Sequence, residues 1–137
     1  MAVPICVVDA FTDEPFAGNP AGVCVLAAPA PEAWMQHVAR EMAHAETAFL
    51  SPVGDPAGGV WSLRWFTPVV EVDLCGHATL AATHALWENG LVAADGHVAF
   101  DTRSGRLRAH ARGDGWITLD FPLDDPQPVT CPTDLAE

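Results

Sequence analysis

Residues 64–80 read Arg64-Trp65-Phe66-Thr67-Pro68-Val69-Val70-Glu71-Val72-Asp73-Leu74-Cys75-Gly76-His77-Ala78-Thr79-Leu80, and the architecture turns on what they form. The first residues read as a strand and the middle as a tight polar connection. A helix then opens at or just after Cys75-Gly76 and runs through Trp87 with no charged residue before Glu88. A helix that is apolar on nearly all sides is buried among other elements, and this one is too short to span a membrane. The expectation is an α+β fold in which a curved, barrel-like mixed β-sheet wraps around this central buried helix, from about Gly76 to Gly90. Its N-terminus, near Cys75, Gly76 and His77, offers free backbone N–H groups and the positive end of the helix dipole, a combination that suits a carboxylate.

Outward from that stretch, the upstream chain predicts a strand at residues 4–10, rich in β-branched residues. A run of turn formers follows from Phe11 to Pro20, and then a second strand at residues 21–26. Glu32 to Met42 fits an amphipathic helix, with Trp34, Val38 and Met42 four apart. Residues 45–50 read as a strand carrying Glu46 inside an apolar run. Trp61, Leu63 and Trp65 alternate with Ser62 and Arg64, as in a half-buried strand. Downstream of the buried helix, residues 97–102, 107–111 and 116–121 read as strands, the last two joined as a hairpin across Gly113-Asp114-Gly115. From Pro122 the chain is rich in Pro and Asp. It is expected to form one lobe over residues 1–122, followed by a linker or tail over residues 123–137.

Composition narrows the function. The 137 residues are half hydrophobic, enough for a core, and carry a net charge of -12. Nucleic acid is excluded as an expected partner, because phosphate backbones are met by basic surfaces. No apolar window is long enough for a membrane span, and the N-terminus lacks a basic, signal-like leader. The 4 cysteines are widely spaced, with no C-x-x-C pair. Cys6 and Cys24 read as small buried hydrophobes, and a reducing cytoplasm is the expected location. The 6 histidines show no H-x-x-x-H pattern or Cys/His cluster at ligand spacing, so no metal is expected. No glycine-rich phosphate loop points to a nucleotide cofactor.

Three ordered motifs then point to a family. Residues Val8-Asp9-Ala10-Phe11-Thr12 with Pro15-Phe16-Ala17-Gly18-Asn19-Pro20-Ala21 form the first, and Ala45-Glu46-Thr47-Ala48-Phe49 the second. The third runs from Arg64-Trp65-Phe66-Thr67-Pro68 through Leu74-Cys75-Gly76-His77-Ala78-Thr79-Leu80-Ala81. Together they resemble the PhzF-like proteins, the phenazine-biosynthesis isomerase family related in fold to diaminopimelate epimerase. The resemblance implies two similar lobes, each a curved sheet around a central helix, with a cofactor-free active site in the cleft between them. This sequence resembles the first lobe only. The second-lobe motifs that supply an acidic partner across the cleft have no counterpart here, and the stretch from Pro122 corresponds to the crossing between lobes.

The resemblance assigns roles. Glu46 matches the glutamate that takes a proton from one substrate carbon and helps return it at another. A carboxylate flanked by Ala45, Ala48 and Phe49 would sit in an apolar wall, where desolvation disfavours its charged form, as a general acid/base requires. Gly76 and His77 match positions that hold or polarise a substrate carboxylate or carbonyl, although a histidine there also serves as a cap. Cys75 matches a catalytic base of related racemases and epimerases, and a helix N-terminus lowers a thiol pKa, yet PhzF-like proteins can carry Cys there while using the glutamate. Asn19 resembles a substrate-binding position, and asparagine is equally a common turn residue.

Two readings compete. One is a cofactor-independent, biosynthetic isomerase acting on a small carboxylate-bearing metabolite. The other is a catalytically silent single lobe that binds a small acid or a partner protein. In either case a lone lobe leaves a cleft wall open, so a homodimer or a further C-terminal lobe is the expected partner.

Overall fold

The computed structural model describes residues 2–93 and 96–132. The first half of the chain supplies β1 (Ile5–Ala10), β2 (Asn19–Val25), α1 (Glu32–Met42), β3 (Thr47–Pro52), β4 (Val60–Phe66) and β5 (Glu71–Val72). The second half supplies α2 (Gly76–Glu88), β6 (His97–Thr102), β7 (Gly105–Ala111) and β8 (Ile117–Asp120). The strands form one mixed sheet in the order β1-β2-β3-β4-β6-β7-β8, with the short β5 paired to β4. β2 and β3 run parallel, as do β4 and β6, and the other pairings are antiparallel.

Each helix is the crossover of one parallel pair, α1 between β2 and β3 and α2 between β4 and β6. The two pairs point in opposite directions, because β3 and β4 are antiparallel, while both crossovers step the same way along the sheet. The right-handed crossover rule therefore demands that the helices lie on opposite faces. They do. α1 covers a cluster of Cys24, Leu26, Phe49 and Phe66, with its own Met35 and Ala39. α2 packs among Ala21, Val23, Ala48, Leu50, Leu63 and Trp65, together with Val98, Phe100 and Leu107 from the far strands. The period-two alternation along β2, β3 and β4 feeds both cores from the same strands.

The buried helix is as expected. Ala78, Thr79, Ala81, Ala82, Thr83, Ala85 and Leu86 are buried. The hydroxyls of Thr79 and Thr83 donate to the carbonyls of Cys75 (2.6 Å) and Thr79 (2.7 Å), which satisfies two polar groups inside an apolar shell. A single stripe stays open: His84 is exposed and Leu80 partly so. These two residues floor a cavity of about 820 Å³ between Val8, Phe11 and the hairpin residue Trp116. There β1 and β8, the two ends of the sheet order, do not pair among the described residues.

Four details differ from the sequence reading. β2 begins at Asn19 rather than Ala21. The buried face of α1 centres on Met35 and Ala39, with Val38 beside them and Trp34 at the margin, its ring edge-on to Phe49. Cys6 is exposed, not buried, because β1 is an edge strand, whereas Cys24 is buried. Glu46 directly precedes β3 instead of lying inside it. Residues 122–132 carry no helix or strand; the rest of the expected tail, residues 133–137, lies outside the described residues.

Candidate acid/base site at the start of the buried helix

Three local features bring the start of α2 into place. Thr67 closes the turn after β4, its hydroxyl oxygen accepting from the N–H of Val69 (3.1 Å) and Val70 (2.9 Å). Glu71, on the returning β5, forms a two-pronged pair with Arg64 of β4, at 2.6 and 2.7 Å. Arg103, from the β6–β7 turn, adds a bond to Glu71 at 2.8 Å, and Ser104 donates to the Asp73 carbonyl at 2.7 Å. The segment leading into Cys75 is thus clamped from two strands and a hairpin. Burial opposes ionisation of Glu71, but the Arg64 hydrogen bonds outweigh it and hold the carboxyl below its usual range. The sequence reading assigned no role to Arg64, Glu71 or Arg103; their signal was an Arg and a Glu placed to face each other across a tight turn.

Cys75 is the N-cap residue of α2 and its side chain makes no capping hydrogen bond. Its sulfur only leans toward the His77 and Ala78 N–H groups, so the first turn has no strong side-chain cap in the region where an anion would bind. Gly76 opens the helix, and a Cβ placed there would sit 3.7 Å from the Phe121 ring.

Glu46 arrives from the other side. The Gly22 N–H donates to its carbonyl at 3.1 Å, fixing its backbone against β2. Alternation along β3 gives Glu46 the same facing as Ala48 and Leu50, whose side chains join the α2 core. Its carboxylate lies 3.5 Å from His77 Nε2, with side-chain exposures of 21 % for Glu46 and 10 % for His77. On the other edge of the same ring, His77 Nδ1 meets Cys75 Sγ at 3.3 Å. His77 Nε2 is buried and has no hydrogen-bond partner of good geometry. The imidazole thus stands between a thiol and a carboxylate.

Burial pushes the Cys75 thiol up to about 11, the neighbouring Glu46 carboxylate adding to the rise and the Ala78 and His77 N–H groups opposing it. The helix-terminus lowering expected for a thiol here is overridden by desolvation, and Cys75 is a neutral thiol near neutral pH.

Glu46, Cys75, Gly76 and His77 therefore converge on one end of α2. Asn19 makes no hydrogen bond to them among the described residues. As the first residue of β2 it lies two positions, about 7 Å, before Ala21, the residue in line with Glu46 in the parallel β2–β3 register, and on the same face of the sheet. Its amide makes no hydrogen bond among the described residues. Gly18 places it there by turning at φ 80, where a Cβ would come within 2.3 Å of the Ala10 carbonyl oxygen. None of Glu46, Cys75 or His77 lines the large cavity beside Leu80 and His84. One donor atom from each of Glu46, Cys75 and His77 lies within 4.8 Å of the others, a grouping not visible in the sequence spacing. Sequence spacing missed it because the carboxylate comes from a different element.

Residues 8–136 match the family model described as phenazine biosynthesis-like protein. The chain belongs to this family. It is 56 % identical over 127 residues to an uncharacterised isomerase of Halalkalibacterium halodurans, covering 93 % of this chain and 46 % of that protein. It is 46 % identical over 127 residues to the human phenazine biosynthesis-like domain-containing protein, covering 90 % and 43 % respectively. Among solved structures, a PhzF family protein of Enterococcus faecalis superposes with a TM-score of 0.85 at 41 % identity, over 98 % of this chain and 49 % of that one. A hydroxyproline epimerase of Agrobacterium vitis shares the fold, with a TM-score of 0.62 at 16 % identity over 85 % of this chain and 40 % of that one. The chain spans about half the length of the curated relatives it matches. No helix among the described residues is long and apolar enough to cross a membrane.

Proposed function

We propose that this chain is the first lobe of a cofactor-independent isomerase that moves a proton on a small carboxylate-bearing metabolite. The observation that carries the reading is the meeting of Glu46, His77 and Cys75 at the uncapped start of α2. The substrate carboxylate is held by the first-turn N–H groups near Gly76 and His77, where the helix dipole favours negative charge. Glu46 abstracts the proton and redelivers it. His77, in reach of Glu46, hydrogen-bonds the oxygen on which charge develops. Cys75, a neutral thiol near neutral pH, is a poor resting base and packs beside the ring. Membership of a family whose named relatives include isomerases supports the class of reaction.

The site is open on one side, and a second lobe, from the same polypeptide or from a second copy of this chain, closes it. Exposed Phe11 and Trp116, which line one cavity, support an apolar surface that meets such a partner. The test pairs light scattering with proton-exchange NMR, in which small carboxylic acids are incubated with the protein in deuterated water. Deuterium entering at carbon, dependent on Glu46 and on an assembled second lobe, is the expected result. A monomeric lobe that exchanges protons on its own would refute the requirement for closure.

A second reading is favoured by one observation. Apart from Cys75, no further acid is recorded within reach of Glu46 among the described residues, and a proton shift that inverts or relocates a bond needs a partner group. A lobe that binds a small acid without turning it over satisfies the same geometry. It predicts ligand binding with no deuterium incorporation.

A further inference from the structure

We infer that Glu46, Cys75 and His77 form a binding site for a borderline-soft divalent cation of the zinc class, and that the bound ion blocks the proton chemistry of the same groups. The inhibitory part rests on the acid/base reading above; the binding itself does not.

The donor set decides the kind of metal. A thiolate and an imidazole suit zinc, cobalt(II) or copper and are poor partners for magnesium or calcium, which take oxygen donors. One carboxylate, one imidazole and one thiolate leave a fourth position open, the arrangement of three-ligand zinc sites. The distances are close to what such a site needs. Bonds of about 2.0 Å to nitrogen and oxygen and about 2.3 Å to sulfur put neighbouring donors roughly 3.3–3.7 Å apart. The thiol sulfur and Nδ1 of His77 are already 3.3 Å apart, and all three donor atoms lie within 4.8 Å of one another. A small rotation of the Glu46 side chain would close the third edge.

The imidazole is also held nearly dry. The His77 side chain is 10 % exposed, and its Nε2 is buried without a hydrogen-bond partner. Buried polar atoms in folded proteins are almost always satisfied, and an imidazole this dry would bind the ion through Nδ1, the nitrogen that faces the thiol. No arginine or lysine is recorded pairing with Glu46. A dication would bring the two anionic donors to neutrality, which outweighs the roughly half positive charge at the helix start. Binding displaces the Cys75 thiol proton to solvent, as thiolate ligation requires.

The test uses the full chain with cobalt(II) and zinc(II), and magnesium as control. The expected result is one ion per chain with a thiolate-to-cobalt charge-transfer band, displaced by zinc and untouched by magnesium. Cys75→Ser and His77→Ala each weaken binding by at least about tenfold, with the fold checked by circular dichroism. A Cys6→Ser/Cys131→Ser double variant, which removes the exposed thiols, keeps both band and affinity. Zinc also protects Cys75 of the unaltered chain from alkylation, read by peptide mass, so that a misfolded variant does not decide the matter. A missing band, a band lost in the surface double variant, or equal alkylation of Cys75 with and without zinc would overturn the site. A chain that binds zinc but exchanges no proton in any assembly would remove the isomerase reading and leave the metal site standing; one that exchanges protons but ignores zinc would do the reverse.

Discussion

Glu71 and Glu46 both serve the approach to α2, and their surroundings are opposite. Glu71 is 7 % exposed and meets two guanidinium groups, Arg64 at 2.6 Å and Arg103 at 2.8 Å. Glu46 is more open and meets an imidazole at 3.5 Å and no arginine. A carboxylate locked between permanent cations stays charged and holds elements together, because its hydrogen bonds favour the ionised form. A carboxylate beside a histidine and a thiol has partners that can themselves gain and lose protons. The difference teaches that burial of an acidic residue says little about its role until its counter-charges are counted. Here the clamp of Glu71 fixes where Cys75 and α2 begin, and that placement presents His77 to Glu46.

The comparison can be broken most forcefully at Glu46. Glu46→Gln keeps shape and removes the proton carrier, so proton exchange on a turned-over substrate should fall by about 100- to 10,000-fold. Its Tm should move by no more than about 2 °C. A variant that retains full exchange would take Glu46 out of the mechanism.

Glu71→Gln should show the reverse pattern. Losing charge-assisted bonds to Arg64 and Arg103 costs about 2 kcal/mol, or roughly 6–10 °C in Tm for a chain of this size, read by calorimetry. Equal stability of the variant and the parent would mean that the clamp is ornamental.

Acid sharpens the same contrast. The folded-state pKa of Glu71 lies below its ordinary value of 4.5. A depressed carboxylate contributes stability above the unfolded pKa and loses it as pH falls through the folded one. The Tm gap between the parent and Glu71→Gln should therefore be full at neutral pH and shrink below about pH 4.5. A gap that stays constant across that window would assign the effect to packing.

The smallest effect is on the thiols. With Cys75 pushed up to about 11 by burial first and by Glu46 after it, its alkylation near neutral pH should lag behind that of the exposed Cys131, as peptide mass spectrometry over time would record. Cys75 reacting first would show that it is a thiolate, and would restore it as a candidate second base.

Much of this was readable in advance, and the misses have physical causes. The span of α1 follows from its amphipathic pattern, but its buried face is set by where Phe49 and Phe66 project from the sheet, so Met35 and Ala39 turn inward and Trp34 stays at the margin. Cys6 sits in a β-branched run that looks buried, and only its place at the sheet edge exposes it. Glu46, His77, Gly76 and Cys75 were found through motif and helix-start chemistry. The thiol's rise was not, because desolvation depends on what packs over the sulfur.

By itself the sequence determined that the helix from Gly76 to Glu88 is buried, since a continuous apolar surface leaves it no stable place in water. It also determined the strands that alternate around it and the residue types available for acid/base work. Tertiary structure alone decided which helix lies on which face, because handed crossovers act on pairs of strands that are distant in sequence. It alone decided that Glu46 meets His77. Distances between side chains on different strands follow from register and curvature, and neither is written in any local run of residues.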